Sequence, residues 1–593
     1  MPQTALPAFL GSPRFSFTLD GVTRTVSIGS LPFSDGAFVY EDGDVTARWT
    51  LRTAVHGYVA RLTLRFPAAR SVDSFSPLIA RVSYAAGTHA VRQKGIDSGF
   101  RVLPDAADSG DEALIEAPAA YLYRDGQGFL ARPLYPLCFD ENCRIRAAKG
   151  EAEVEMTAVP PRSFESDTFE SAALYLASGA LAPALDEYFT LLPQLWHGQR
   201  AVTGYNTWDY YFTDIDERCV EENLAEIENV PVYRENLRYF TLDDGWQAIQ
   251  GDWYANFRFP HGLSAAADTI RAHGLIPGIW SAPLHAWTLS SFAQRRMTGF
   301  LRDENGDPVT EDGMYVLDPT HPDTIAFVRE LYTRLYDAGF RLYKVDYVGC
   351  LRHARYFYDK TASQYDALRR LFALIRECVH DSVIIGCSLP VEAASPDADA
   401  GRTGIDIHIT WNHVLWAMEC YQHHWGEHRR IWVNDIDFLV VRGPETDDDP
   451  QRSTIDPARH NPVRGRWRAG DDFCLNEARS WAAVVLLTGG SMNLSDRLAV
   501  LNGEGRAILE KALSLRTETA AVPLDQFVRD YPCVWKQGSR YILVNFGSET
   551  ETFSFPSGVP MRELWTDRRV TPENGRISVT LSPHESAVFY EHA

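Results

Sequence analysis

Between residues 196 and 512 the chain repeats one motif: a short apolar run, then a longer stretch of helical or loop character. The apolar runs are "VTGYNTW", "LRYFTLDD", "LIPGIWSAP", "FRLYKVDY", "SVIIGCSLP", "IDIHITW", "RIWVNDIDFLVV" and "AAVVLLTGG". Between them lie "SAAADTIRAHG", "PDTIAFVRELYTRLYDAG" and "TASQYDALRRLFALIRECVHD", whose apolar residues recur at helical spacing. Gly339 follows the second of these, and Thr361 or Ser363 precedes the third, as helix caps require. Parallel strands cannot be joined by tight hairpins, so alternating strands and helices predict a parallel sheet with helices outside it. Eight strands over this span predict a (β/α)8 TIM barrel. A doubly wound open sheet is the alternative, but it uses fewer strands and a Gly-rich phosphate loop, which is absent.

The flanks have a different rhythm. Residues 1–195 carry alternating segments such as "VTARWTLRT", "YVARLTLRF" and "ESAALYLAS", which predict an N-terminal β-sandwich. Residues 513–593 return to alternation in "RYILVNF", "TFSF", "ISVTL" and "SAVFYE", which predict a small C-terminal antiparallel β-domain. A formal net charge of −22 argues against nucleic acid or an anionic membrane as partner. No stretch reaches the roughly 20 apolar residues of a membrane span. The first residues, "MPQTALPAFLGSPRF", lack the basic and apolar regions of a signal peptide. Nine scattered cysteines without C-x-x-C pairs read as free thiols, so a cytoplasmic protein is expected.

In such a barrel the chemistry sits where the strands end at their C-terminal side. There the chain places Trp208 and Asp209, then Asp243, Asp244 and Trp246, then Trp280 with His285 and Trp287 beyond. The fourth strand supplies Lys344 and Asp346, which share a face because side chains alternate. Cys387, Arg402, Asp406, Asp435 and Asp437 complete the ring. Carboxylates and a lysine hydrogen-bond vicinal hydroxyls, and indoles stack on pyranose faces, so the pattern is that of a sugar site. Glycoside cleavage needs two carboxylates flanking the bond. Asp346, held ionised by Lys344, suits the nucleophile. Asp406 lies two strands further round, near Arg402, and can face it across the pocket.

Nine motifs stand in one order: "GYNTWDYY", "LDDGW" followed by "GDW", "GLIPGIW", "YVLDPTHPDT", "YKVDY", "GCSLP", "RTGIDI", "WVNDIDFLVVR" and "LLTGGSMNLSD". In this the chain resembles glycoside hydrolase clan D, and most closely family 36, the α-galactosidases or melibiases. The resemblance implies retaining hydrolysis of terminal α-D-galactosides, with Asp346 forming a covalent glycosyl-enzyme and Asp406 as acid/base. It implies that Asp243 and Asp244 bind the 4- and 6-hydroxyls and that Lys344 contacts a ring hydroxyl. Trp208 and Trp280 would wall the −1 site, and Cys387 would lie near the 2-hydroxyl with Arg402 close by. No metal or organic cofactor is implied, and the partner is an α-galactoside, with a homo-oligomer left open. In place of the glycine-rich "CSGGGGR" and "SDNTD" of many bacterial members this chain has "CSLPVEAASPDADAGRTGID", which marks a divergent branch.

Rival readings are an α-N-acetylgalactosaminidase, a galactosyl transferase with Trp411 or Trp287 as acceptor platform, and a non-catalytic sugar-binding barrel. Asp397 and Asp399 neighbour Asp406 and compete with it for the acid/base role. Asp435 and Asp437 are expected to buttress the rim, and Trp416, Trp425 and Trp481 to lie in the core. His424 to His428 spell H-x-x-E-H, a zinc-peptidase pattern, but a glycine in its middle argues against a ligand helix. "ETDDDP" lacks the spacing of a calcium loop and reads as a solvated turn.

Overall fold

The computed structural model describes residues 6–94, 97–104, 112–295, 298–449, 452 and 470–591. Its centre is a parallel sheet of β1 (Thr203–Asn206), β2 (Tyr239–Leu242), β3 (Ile276–Ser281), β4 (Leu342–Val345), β5 (Val383–Gly386), β6 (Ala400–Arg402), β7 (Val433–Asp435, resuming at Phe438–Leu439) and β8 (Met492–Leu494). Neighbours pair in order, β7 pairs with both β6 and β8, and β8 pairs with β1, so the sheet closes on itself. The break in β7 at Ile436 and Asp437 bends one strand so that its halves serve both neighbours. Asp437 takes φ +93°, outside the usual range of an L-residue. The predicted (β/α)8 barrel is therefore present.

Two predicted strands are placed differently. "AAVVLLTGG" belongs to helix α5 (Leu475–Thr488), and β8 is the short "MNL" after it. From Trp481 to Thr488 every residue of α5 is buried, so no polar face reveals the helical period in that run. Gly489, at φ +61°, caps the helix in the left-handed conformation and turns the chain into β8. The sixth strand is Ala400–Arg402, not "IDIHITW", which leads to helix α4 (Trp411–Tyr421). Its small residues fit the space: a Cβ on Gly401 would stand 2.3 Å from the Trp432 ring. The three helices read from the sequence are present as α1 (Gly262–Ala272), α2 (Pro322–Asp337) and α3 (Gln364–Val379), whereas Glu217–Asn229 and Gly503–Leu515 are helices that reading did not name. Ser363, not Thr361, caps α3, its side chain accepting from the Asp366 N–H.

Residues Gly11 to Ala180 form two antiparallel sheets of six and ten strands. One core cluster takes side chains from both, such as Phe15 and Val154 from one and Leu62 and Leu64 from the other, which makes a sandwich. Strand Ala120–Arg124 shows how its second sheet meets the barrel. Ala120 and Leu122 face the sandwich core, while Tyr121 and Tyr123 join the core that continues into the barrel. Beyond the barrel, a six-stranded antiparallel sheet and a two-stranded ribbon, Glu551–Pro556 with Arg576–Leu581, share that same core. Among the described residues no helix is long and apolar enough to cross a membrane.

Candidate active site

The C-terminal ends of β2 to β7 gather Asp243, Asp244, Lys344, Asp346, Arg402, Asp406 and Asp437 at one end of the barrel, and Trp280, 2% exposed, packs against Asp346 from within. Lys344 Nζ reaches past β3 to donate to Asp243 Oδ2 at 2.8 Å, so its ion-pair partner is Asp243 and not Asp346. Both side chains are almost fully buried, at 7% and 2% exposure. Asn206 donates to the same oxygen at 2.7 Å, and the Asp244 N–H donates to the other. Asp243 is thus largely saturated by the protein and serves to fix Lys344. Asp244 is more open and is held by the Gln247 amide. Burial, followed by the nearby Asp243 and Asp346 charges, lifts its carboxyl to about 6 against the Gln247 and Gly245 N–H groups.

Asp346 follows β4 and retains partial exposure. The Trp280 indole donates to its Oδ2 at 3.1 Å and the Tyr347 N–H to its Oδ1 at 2.7 Å. Burial pushes its carboxyl up, but Lys344 chiefly, then these donors and Arg402, bring it below the usual carboxylate value. Lys344 therefore stabilises the ionised form at a distance without bonding to it. Tyr347 adopts φ +53°, a strained conformation beside the group it orients.

Arg402, at the end of β6, links the other half of the pocket. It reaches Asp406 Oδ1 at 3.2 Å, Asp437 Oδ1 at 3.1 Å and Cys387 Sγ at 3.3 Å. Asp437 also accepts from the Ile407 N–H at 2.6 Å, which fixes the backbone next to Asp406. The Asp406 side chain is 33% exposed, open enough to meet a bound molecule. Burial raises the Cys387 thiol, with the Asp346 charge acting the same way, so it stays a neutral thiol whose sulfur accepts from Arg402. Trp208 is partly exposed, and its backbone N–H donates to Asn206 Oδ1 at 2.8 Å.

Several rim residues do not enter the pocket. Trp246 is fully buried behind Trp280, donating to its carbonyl. Asp209 belongs to a buried network with Arg442 and His408, and Arg442 also grips Asp496 at 2.8 Å. Trp411 stacks on His584 at 4.2 Å, so it cannot be an acceptor platform, whereas Trp287 is 40% exposed. Asp399 is taken by Arg376 at 2.7 Å and by the Ile384 N–H, which removes it from contention as acid/base. His424 pairs with Glu427, itself bound by Arg132, and His428 bonds the Glu518 carbonyl and the Asn434 N–H. The H-x-x-E-H pattern is structural. "ETDDDP" is not a solvated turn in its first part, since Thr446 and Asp447 are buried.

Sequence reasoning missed Asn206, Tyr347 and Gln247 as organisers of the carboxylates. Two of them lie within quoted motifs, but nothing in residue type separates a donor to an aspartate from a neighbour facing away.

The chain matches no protein-family profile. It is 28% identical to an α-galactosidase of Oryza sativa subsp. japonica over 149 residues, 24% of this chain and 34% of that protein. It is 29% identical to an α-galactosidase of Cyamopsis tetragonoloba over 118 residues, 19% of this chain and 28% of that one. A third relative, 32% identical over 126 residues, is an "A type blood alpha-D-galactosamine galactosaminidase" of Flavonifractor plautii, covering 19% of this chain and 12% of that protein. The chain thus spans about a third or less of the length of these curated relatives. In fold it is similar to the α-galactosidase TtGalA from Thermus thermophilus, with TM-score 0.60, 19% identity and coverage of 89% of this chain and 98% of that one. It is also similar to the GH36 α-galactosidase AgaA from Geobacillus stearothermophilus, with TM-score 0.55, 12% identity and coverage of 98% and 86%. These likenesses show a TIM-like barrel with β-rich flanks.

Proposed function

We propose that the chain is a retaining glycoside hydrolase that releases terminal α-D-galactose from α-galactosides. The observation that carries this reading is Arg402. It bonds Asp406 directly and contributes to the depressed Asp346 carboxyl, placing two carboxyl groups in one pocket with different surroundings. In the reaction Asp346 attacks the anomeric carbon while Asp406 gives its proton to the leaving oxygen. Asp406 then takes a proton from water, which attacks the same carbon and frees Asp346. Lys344 and Asp244 meet the 4- and 6-hydroxyls, with Asp243 aligning Lys344, while Trp208 flanks the ring and the buried Trp280 indole holds Asp346.

The matched stretches of curated α-galactosidases support the sugar, as does a Thermus thermophilus neighbour solved with p-nitrophenyl α-D-galactopyranoside. The Flavonifractor plautii relative motivates a second reading, in which the 2-position carries nitrogen. Nine free cysteines and an acidic surface support a cytoplasmic protein without a nucleic-acid partner, which fractionation of the source cells would check.

The test is turnover of matched aryl α-galactoside, α-N-acetylgalactosaminide and α-glucoside, with proton NMR of the first sugar released. Release from the galactoside, as the α-anomer, is the expected result. Preference for the acetamido sugar overturns the assignment at the 2-position, and a β-anomer as first product overturns retention. A fluorosugar that traps the intermediate should add its mass to the peptide containing Asp346.

A further inference from the structure

Three metal-ligating side chains from separate segments meet beside the Asp346 loop. His285 opens the short strand His285–Trp287, Glu311 closes Thr310–Glu311, and Cys350 lies in the 3-10 turn Gly349–His353 after β4. One donor atom from each lies within 4.8 Å of the other two. His285 Nε2 and Glu311 Oε2 are 3.0 Å apart, close to the roughly 3.3 Å edge of a tetrahedron with 2.0 Å metal bonds. His285 is fully buried, and its Nδ1 has no hydrogen-bond partner among the described residues. The ring's polar anchoring is therefore all on the side facing Glu311 and Cys350. The Cys350 thiol points to the Tyr347 carbonyl at 3.1 Å, and the Glu311 side chain is 46% exposed, so an ion has a route in from solvent.

We propose that His285, Glu311 and Cys350 bind a divalent metal ion of the zinc class. A thiolate with an imidazole selects a borderline-soft ion over magnesium or calcium, whose preferred ligands are all oxygen. On binding, the Cys350 S–H bond breaks, its proton goes to solvent and the sulfur pair forms the metal bond; nothing is oxidised or reduced. The fourth position falls to water or the Tyr347 carbonyl. The ion ties the segment around His285 and Glu311 to the turn holding Tyr347, whose N–H bonds Asp346 Oδ1 and whose ring lies 4.9 Å from that of His285. Its role is to hold the loop that orients Asp346, and it takes no part in bond cleavage. This proposal does not depend on which sugar is cleaved.

The test uses the full chain, reduced and stripped with chelator, with the exposed Cys138 and Cys474 replaced by serine. Titration with Co2+ should give one equivalent of binding and a thiolate-to-cobalt absorption band that Zn2+ abolishes. Cys350→Ser should remove the band, and Glu311→Gln should weaken binding about tenfold or more. Zn2+ should raise the melting temperature of the parent chain but not of Cys350→Ser. Absence of a band, a band that survives Cys350→Ser, or a melting temperature indifferent to Zn2+ overturns the site. Should Cys350→Ser not fold, Glu311→Gln decides alone, because a half-exposed carboxylate can be replaced without unfolding, and unchanged affinity there overturns the site as well.

Discussion

Asp346, Lys344 and Asp244 show how one pocket holds neighbouring charges in different states. The Asp346 carboxyl lies below the ordinary carboxylate value, so its ionised form contributes stability above about pH 4, which is lost as pH falls further. Asp346→Asn should lower turnover by on the order of 10⁴-fold or more, which steady-state kinetics on the aryl galactoside measures. Asp406→Asn should slow sugar leaving groups far more than nitrophenolate, which needs no proton, and comparing the two substrates checks this. Asp244 has the opposite sign. Its carboxyl is lifted to about 6, so the native state binds the proton more tightly and stability falls as pH rises from about 4 to 6. Asp244→Asn should therefore stabilise the fold by about 1–3 kcal/mol at pH 7 but not at pH 4, while weakening substrate binding. Urea unfolding at the two pH values measures the first effect and KM the second. Lys344→Met strands the buried Asp243 carboxylate and should cost about 3–5 kcal/mol in the same assay.

At the scale of elements, the barrel closes through short strands that depend on their neighbours. β6 contributes three residues, and Gly401 among them lies under the Trp432 ring. Gly401→Ala forces that ring or the strand to shift, and a destabilisation of about 1–3 kcal/mol is expected in urea unfolding. Because Arg402 follows directly, turnover should fall more than stability alone explains. The bent β7 has a comparable role: Asp437, at its break, holds both Arg402 and the Ile407 N–H, so the strand's irregularity places the acid/base segment.

For the whole molecule, one face of the N-terminal sandwich and the C-terminal sheets pack into the barrel's own core. Arg132, from the N-terminal sandwich, is buried against Glu427 at 2.6 Å and the His423 carbonyl at 2.7 Å, and its guanidinium lies over the Tyr188 ring. On the other side Gln537 donates to the Leu486 carbonyl at the end of α5, and Trp411 stacks on His584. Arg132→Met leaves Glu427 buried with only His424 as side-chain partner among the described residues, and a loss of about 3–5 kcal/mol is expected. Since the barrel's core also takes in the outer face of one sandwich sheet and the C-terminal sheets, calorimetry should show a single transition for the parent chain, even though the sandwich interior is a cluster of its own. A separate low-temperature melt of the N-terminal sheets would count against that coupling.

Local chemistry set much of this protein directly. Period-two alternation marked the flanking sheets, since a strand with one buried face must alternate. Caps and helical spacing marked α1, α2 and α3, because a helix end needs a donor or a left-handed residue whatever surrounds it. Asp346, Asp406, Lys344 and Asp244 were legible because strand ends of a barrel converge. Tertiary structure alone decided the rest. α5 hid its period once it was buried on every side, and β6 is too short and small to announce itself beside the more regular "IDIHITW". The choice of Asp243 over Asp346 as partner of Lys344 depends on a contact across a third strand, which no spacing along the chain encodes. Trp280 and Trp411 are both buried, at 2% and 8% exposure, and what separates them is the partner each meets, Asp346 for Trp280 and His584 for Trp411. A residue's type sets which interactions it can make, but its partner is chosen by whatever the closed barrel brings within reach.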